Sequence, residues 1–148
     1  MPRVTVPVKR LDDTLALPEY AYVGDAGLDL RSAEDAVLKP FQRQALSCGI
    51  AVAIPAGYAG FVLPRSGLAA KHGISILNAP GLIDSNYRGE IKVILINLDS
   101  EQSFEIKRGD RIAQLVILET PPVELSEVSN LDDTTRGQGG FGSSGIDS

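Results

Sequence analysis

The 148 residues, 43% apolar and 22% charged, suffice for one globular domain with a closed core. No apolar run reaches membrane-spanning length, no basic, hydrophobic signal opens the chain, and a net charge of −5 disfavours non-specific nucleic-acid binding, which relies on phosphate neutralisation. A lone cysteine, Cys48, and a lone histidine, His72, exclude an intrachain disulfide and leave too few soft ligands for a protein-held zinc, so a reducing, cytoplasmic setting is expected.

Val4-Thr5-Val6-Pro7-Val8 alternates and predicts a strand that its proline confines to a sheet edge. Leu11 to Gly24 predicts loop. Gly24 to Leu30 brings a glycine-rich turn into a short strand, where Asp29 stands between Leu28 and Leu30. If both leucines face the core, Asp29 faces the other way and is either solvated or functional. Val37-Leu38, Ala45 to Ser47, Ile50 to Ile54 and Gly60 to Pro64 predict further short strands, broken at Pro40, Gly49 and Pro55-Ala56-Gly57. Cys48, beside an apolar run, is expected to be a small buried hydrophobe.

Arg65-Ser66-Gly67-Leu68-Ala69-Ala70-Lys71 is the one convincing helix start, with Ser66 as the expected N-cap. A strand that delivers an arginine and a helix N-terminus offers N–H groups and a guanidinium fork to an anion. Capping accounts for Ser66 but not for Arg65, a charge of the wrong sign for that end unless an anion joins it.

Ile74 to Leu77 leads into Asn78 to Ile91, where Pro80-Gly81 and Asn86 to Gly89 flank Leu82-Ile83 and predict a hairpin-like loop with Asp84 and Tyr87 near its tip. Asp84 is either an Asx-turn acceptor beside a tyrosine at the core edge, or a general base beside a stacking platform. Ile91 to Asn97 predicts a central buried strand. Phe104 to Ile106 and Arg111 to Ile117 predict two more, the latter with Arg111, Ala113, Leu115 and Ile117 on one face and Ile112, Gln114 and Val116 on the other. Gln114 needs a partner if buried. Val123 to Val128 predicts a last strand.

Many short strands, Gly/Pro turns and one helical turn predict an all-β fold, a jelly roll or β-sandwich with one short helix. Residues 1–129 form the expected domain, and 130–148 a flexible glycine-rich tail. That tail is either a frayed terminus or a phosphate clamp with an aromatic lid, since it sets Arg136 and Phe141 among glycines and serines.

Taken together, Ala26-Gly27-Leu28-Asp29-Leu30, Pro64-Arg65-Ser66-Gly67, Gly81-Leu82-Ile83-Asp84 through Tyr87-Arg88-Gly89, Gly109-Asp110-Arg111-Ile112-Ala113-Gln114, and Arg136-Gly137 through Phe141-Gly142-Ser143 resemble, in order and spacing, the five motifs of the trimeric deoxyuridine triphosphatases (dUTPases). The resemblance covers nearly the whole chain. It implies a jelly-roll homotrimer that hydrolyses dUTP to dUMP and pyrophosphate with Mg2+, keeping uracil out of DNA and supplying dUMP for thymidylate synthesis. By the same resemblance Asp84 is the general base, Tyr87 packs under the deoxyribose and crowds out a 2′-hydroxyl, and Asn78 with the Gly81 backbone reads uracil. Arg65, Ser66, Gly67 and Gln114 form the phosphate cradle, with Lys92 also among the substrate-binding residues. Asp29 holds magnesium-bound water, and Arg136, Phe141, Gly142 and Ser143 close over the nucleotide. Each site is implied to draw on three chains.

Two other readings stand beside this one. A dCTP deaminase of the same fold needs a glutamate in the strand after the loop, where Ile91-Lys92-Val93-Ile94-Leu95-Ile96 has no acid. A non-catalytic nucleotide-binding jelly roll is expected to lack Asp84 or the tail arginine, and both are present.

Overall fold

Alternating apolar residues between glycine and proline turns fold this chain into two face-to-face antiparallel sheets, in a computed structural model that describes residues 3–147. The strands are β1 (Val8–Arg10), β2 (Leu28–Arg31), β3 (Ala36–Leu38), β4 (Arg43–Val52), β5 (Tyr58–Leu63), β6 (Ile74–Ile76), β7 (Gly81–Ile83), β8 (Glu90–Asn97), β9 (Phe104–Ile106) and β10 (Arg111–Glu119), with one helix, α1 (Ser66–His72). One sheet runs β1-β4-β8-β6 and the other β2-β10-β5-β7, while β3 and β9 pair as a small ribbon. This is the jelly-roll class expected from the strand pattern. No helix among the described residues is long and apolar enough to cross a membrane.

The core lies between the sheets. Leu46, Ile91, Val93 and Leu95 from one face meet Leu30, Val62, Ala113 and Leu115 from the other, all buried. Asn97, fully buried, satisfies its amide by donating to Leu38 O (2.9 Å) and Gln102 O (2.8 Å) and accepting from Asp99 N (2.9 Å). It thus ties the ribbon to the end of β8 with no orphaned polar atom.

Several strands depart from the sequence reading, each for a local reason. The first strand starts at Val8, because Pro7 has no N–H to give and serves instead as acceptor for Ala53 N (2.9 Å). It does lie at a sheet edge. Gly49 does not break β4: with φ of 70° it makes a bulge, and the register with β8 shifts between Ser47 and Ala51. β8 is central but buried on one face only, with Lys92 exposed and Ile94 and Ile96 half-buried, since each sheet of a two-layer sandwich has one covered face. Val123 to Val128 is not a strand; Val123 and Leu125 are 79% and 92% exposed, and no strand follows β10 among the described residues.

The loop from Asp84 to Gly89 is not a paired hairpin. It leaves β7, in one sheet, and enters β8, in the other, so it bridges the two layers. Cys48 is buried as expected, and burial pushes its thiol up to about 12, with the Glu90 and Glu34 carboxylates adding to the effect.

Candidate active site

The candidate residues fall into three groups within one chain. The first sits where β2, β5 and β10 converge. Asp29 in β2 faces away from the core, as its two leucine neighbours require, but it is not simply solvated: its side chain is only 13% exposed. The Arg111 guanidinium donates to it at 3.3 Å, and the Arg65 Nε lies 3.9 Å away. Arg65 also donates to the Arg111 carbonyl at 2.9 Å. A carboxylate thus holds two cations on one face, at the foot of the helix.

Arg111 reaches this face because β10 is bulged. It pairs with Arg31, while Ala113 pairs with Leu30, so Ile112 is the extra residue and side chains before it flip relative to those after it. The sequence reading put Arg111 on a face with Ala113, and Arg111 is not among its candidates. The adjacent buried pair Ile112-Ala113, which interrupts the alternation, was the available signal.

Gln114, opposite both Asp29 and Leu63, has the partner its position demands: Nε2 donates to Pro64 O at 3.0 Å. That bond fixes the backbone just ahead of Arg65. Gly27 leaves room for it, since a Cβ there would stand 2.5 Å from Gln114 Oε1 and 3.0 Å from its Cβ. Gly27→Ala is therefore expected to cost about 1–3 kcal/mol, the scale of an overpacked site. Urea unfolding would measure it, and an unmoved midpoint would mean that Gln114 gives way freely.

Ser66 is not the N-cap. Arg65 takes that position with extended φ and ψ (−94°, 130°) and no side-chain capping bond, and Ser66 opens the helix itself. The exposed Ser66 and Gly67 therefore present a hydroxyl and first-turn N–H groups to solvent instead of spending them on a cap. Gly73 ends the helix in the left-handed conformation (φ 66°).

The second group lines a cleft of about 220 Å³ formed by Leu82, Ile83, Asp84, Tyr87, Glu90, Ile91 and Lys92. Asn78 and Gly81 border the adjoining recess, which shares Leu82, Ile83 and Lys92. A Cβ on Gly81 would meet Val62 Cβ at 3.3 Å and Asn78 Nδ2 at 3.5 Å, so the Asn78 amide lies close along this backbone. Asp84 is exposed, and its backbone carbonyl accepts from Tyr87 N at 3.1 Å, closing the turn. Its carboxylate accepts no hydrogen bond among the described residues, so it is not the Asx-turn acceptor. Tyr87 is 45% exposed, and its hydroxyl donates to Glu90 O at 2.8 Å, so it is no core filler.

The third group is the tail. Arg136 Nε donates to Gly139 O at 2.7 Å, and Gly139, Ser143 and Gly145 close local turns. Among the described residues no hydrogen bond joins residues 121–147 to the sandwich. Phe141 is fully exposed, with φ of 49°. The chain does not bring Arg136, Phe141, Gly142 or Ser143 to the other two groups through any such bond.

Nor do the first two groups meet. Gly60 pairs with Ile83 and Val62 with Gly81, so Asp84 follows β7 at the Gly60 end of this pairing, while Arg65 follows β5 at the other end, past Leu63. The stretch from Gly60 to Leu63 spans ~10 Å at ~3.3 Å per residue, and Asp84 and Arg65 lie beyond its opposite ends.

The family model described as dUTPase matches residues 13–145. A deoxyuridine 5′-triphosphate nucleotidohydrolase from Zymomonas mobilis is 56% identical over 146 residues, covering 97% of this chain and 99% of its own. One from Thermobifida fusca is 55% identical over 142 residues, covering 96% and 79%. Among solved structures, a Staphylococcus bacteriophage 80alpha dUTPase mutant with dUpNHpp superposes with a TM-score of 0.88 at 32% identity, covering 96% of this chain and 99% of that one. A mutant dUTPase from phage phi11 of S. aureus, described as coordinating a structural Mg(II) ion, gives a TM-score of 0.80 at 29% identity, covering 87% and 99%.

Proposed function

The chain belongs to the dUTPase family, and from that premise we propose that it hydrolyses dUTP to dUMP and pyrophosphate at sites shared between the chains of a homotrimer. The observation that carries the reading is Asp84: an exposed carboxylate with no hydrogen-bond partner among the described residues, on a turn beside a half-exposed tyrosine and lining a cleft of about 220 Å³. Asp84 takes a proton from water as the water oxygen bonds to the α-phosphorus. The bond from that phosphorus to its bridging oxygen breaks, and pyrophosphate leaves.

The rest of the site positions and neutralises. Arg65, Ser66 and the Gly67 backbone offer a guanidinium fork, a hydroxyl and N–H groups to the phosphates, held in place by the Gln114 bond to Pro64. Asn78 and the backbone at Gly81 hydrogen-bond the uracil edge, where cytosine would leave those groups unpaired. Lys92 lies between the two recesses, within reach of the nucleotide. Tyr87 packs under the deoxyribose, and Arg136, Phe141, Gly142 and Ser143 close over base and phosphates.

Among the described residues no group of three or more His, Cys, Asp or Glu gathers to cage an ion. Asp29 is a single carboxylate beside two arginines. That donor set fits Mg2+ carried by the triphosphate, with Asp29 holding its water from outside. Held in that way beside Asp29, Arg65 and Arg111, Mg2+ would supply neutralisation of phosphate charge.

Asp84 and Arg65 lie beyond opposite ends of the β5–β7 pairing, and that favours shared sites. A general base must act at the phosphorus that the phosphate cradle holds, and a neighbouring chain can supply the missing half. The tail, which among the described residues hydrogen-bonds only within itself, and the exposed Val123 and Leu125 before it fit a segment that lies on another subunit. Pyrophosphate release from dUTP against dCTP, dTTP and UTP tests the reading. Strong preference for dUTP is expected; equal turnover of dCTP, or ammonia released from it, would favour the deaminase.

A further inference from the structure

The sugar-facing tyrosine is held by more than its own turn. Its ring edge lies directly over Gly89: a Cβ there would stand 2.6 Å from Tyr87 Cζ and 2.9 Å from Cε1, and would collide with the hydroxyl as well. The hydroxyl donates to the backbone carbonyl of Glu90. Ring position therefore follows the position of that carbonyl.

The carbonyl is in turn anchored by the Glu90 side chain. One carboxylate oxygen accepts from Ser47 Oγ at 3.2 Å and the other from the Gly49 N–H at 3.3 Å. Both donors belong to the β4 bulge, where β4 and β8 change register and an ordinary ladder bond is lacking. Gly49 O is taken by Leu11 N (2.8 Å) and Asp12 N (3.1 Å), so the bulge itself is pinned from behind. Glu90 thus replaces the missing ladder with two charge-assisted bonds at the mouth of the loop.

We propose that Glu90 is the positioning residue for sugar selection: through the β4 bulge it fixes the carbonyl that holds Tyr87 over Gly89. This rests on the reading of Tyr87 as the group that excludes a 2′-hydroxyl. A ring displaced by a fraction of an ångström opens room for a hydroxyl without touching Asp84.

The test compares kcat and KM for dUTP and UTP in the full-length protein, its Tyr87→Ala variant as reference, and three variants along the anchor. Glu90→Ala is expected to raise the UTP-to-dUTP ratio of kcat/KM about tenfold, the scale of a small steric misfit. Most of the change for dUTP should fall in KM. Glu90→Gln can turn its amide oxygen to the Gly49 N–H and its NH2 to the Ser47 hydroxyl oxygen, so both bonds persist without the charge and an intermediate ratio is expected. Ser47→Ala removes one anchor bond and should shift the ratio less, in the same direction. Combined with Glu90→Ala it should add nothing, because both act through one contact. If Glu90→Ala fails to fold, the Gln and Ser47 variants decide alone. A folded, destabilised set with the wild-type ratio, while Tyr87→Ala moves it, makes Glu90 purely structural and overturns the proposal. If Tyr87→Ala leaves the ratio unmoved too, the reading of Tyr87 falls and the proposal with it.

Discussion

Asp84→Asn is expected to lower kcat for dUTP by ~10²–10⁴, the worth of a positioned general base. The amide keeps the shape of the carboxylate but cannot accept the water's proton. Stability should stay within about 0.5 kcal/mol, because the side chain is exposed and makes no hydrogen bond among the described residues. The turn itself is closed by backbone, Tyr87 N to Asp84 O, and survives the change. Affinity for a non-hydrolysable dUTP analogue should be nearly unchanged, since the phosphates are gripped elsewhere. Single-turnover kinetics separates these effects. A variant within a few-fold of wild-type kcat would remove Asp84 from the role of base.

The second large effect is a recovery. Two inactive chains are needed, one carrying Asp84→Ala and one truncated after Thr135, which lacks Arg136 and Phe141. Neither change touches the strands, so both should fold and assemble. Co-refolded at equal ratio, about a quarter of the sites should combine an intact base from one chain with an intact tail from another. Activity therefore reappears, near a quarter of the wild-type value. Mixing preformed oligomers should restore it only as fast as subunits exchange. If mixed oligomers confirmed by mass stay inactive, base and tail come from one chain, and the distance between Asp84 and Arg65 must be closed some other way.

How much of this was legible in the sequence varied with the physics behind each residue. Period-two alternation placed Leu28, Asp29 and Leu30 correctly, because a strand offers only two faces. The same rule misplaced Arg111, where one inserted residue, Ile112, reverses the faces and leaves only an adjacent apolar pair as its trace. Gln114 was expected to need a partner and has one in Pro64 O, but nothing local in the sequence names a carbonyl fifty positions away. Ser66 looked like a cap because capping is local, whereas the start of this helix is set by β5 delivering Pro64 and Arg65 in extended form. Val123 to Val128 has strand composition but pairs with no strand among the described residues, and composition alone cannot say whether a strand has a neighbour to pair with. Glu90 was invisible as a contributor: its partners, Ser47 and Gly49, lie across a bulge that no sequence window spans.

The loop that carries Asp84 is rooted at one end in β7 and at the other in β8, and those strands belong to different layers of the sandwich. Mechanically it is a strut across the gap. Shear of one sheet over the other would move its two roots relative to each other, and the carboxylate between them. A misplacement of about 1 Å can cost ~10²-fold in rate. A core substitution that lets the layers slip, at Leu95 or Leu115 for instance, is therefore expected to lower activity from a distance, and the close packing between the sheets would double as the alignment of the proposed base.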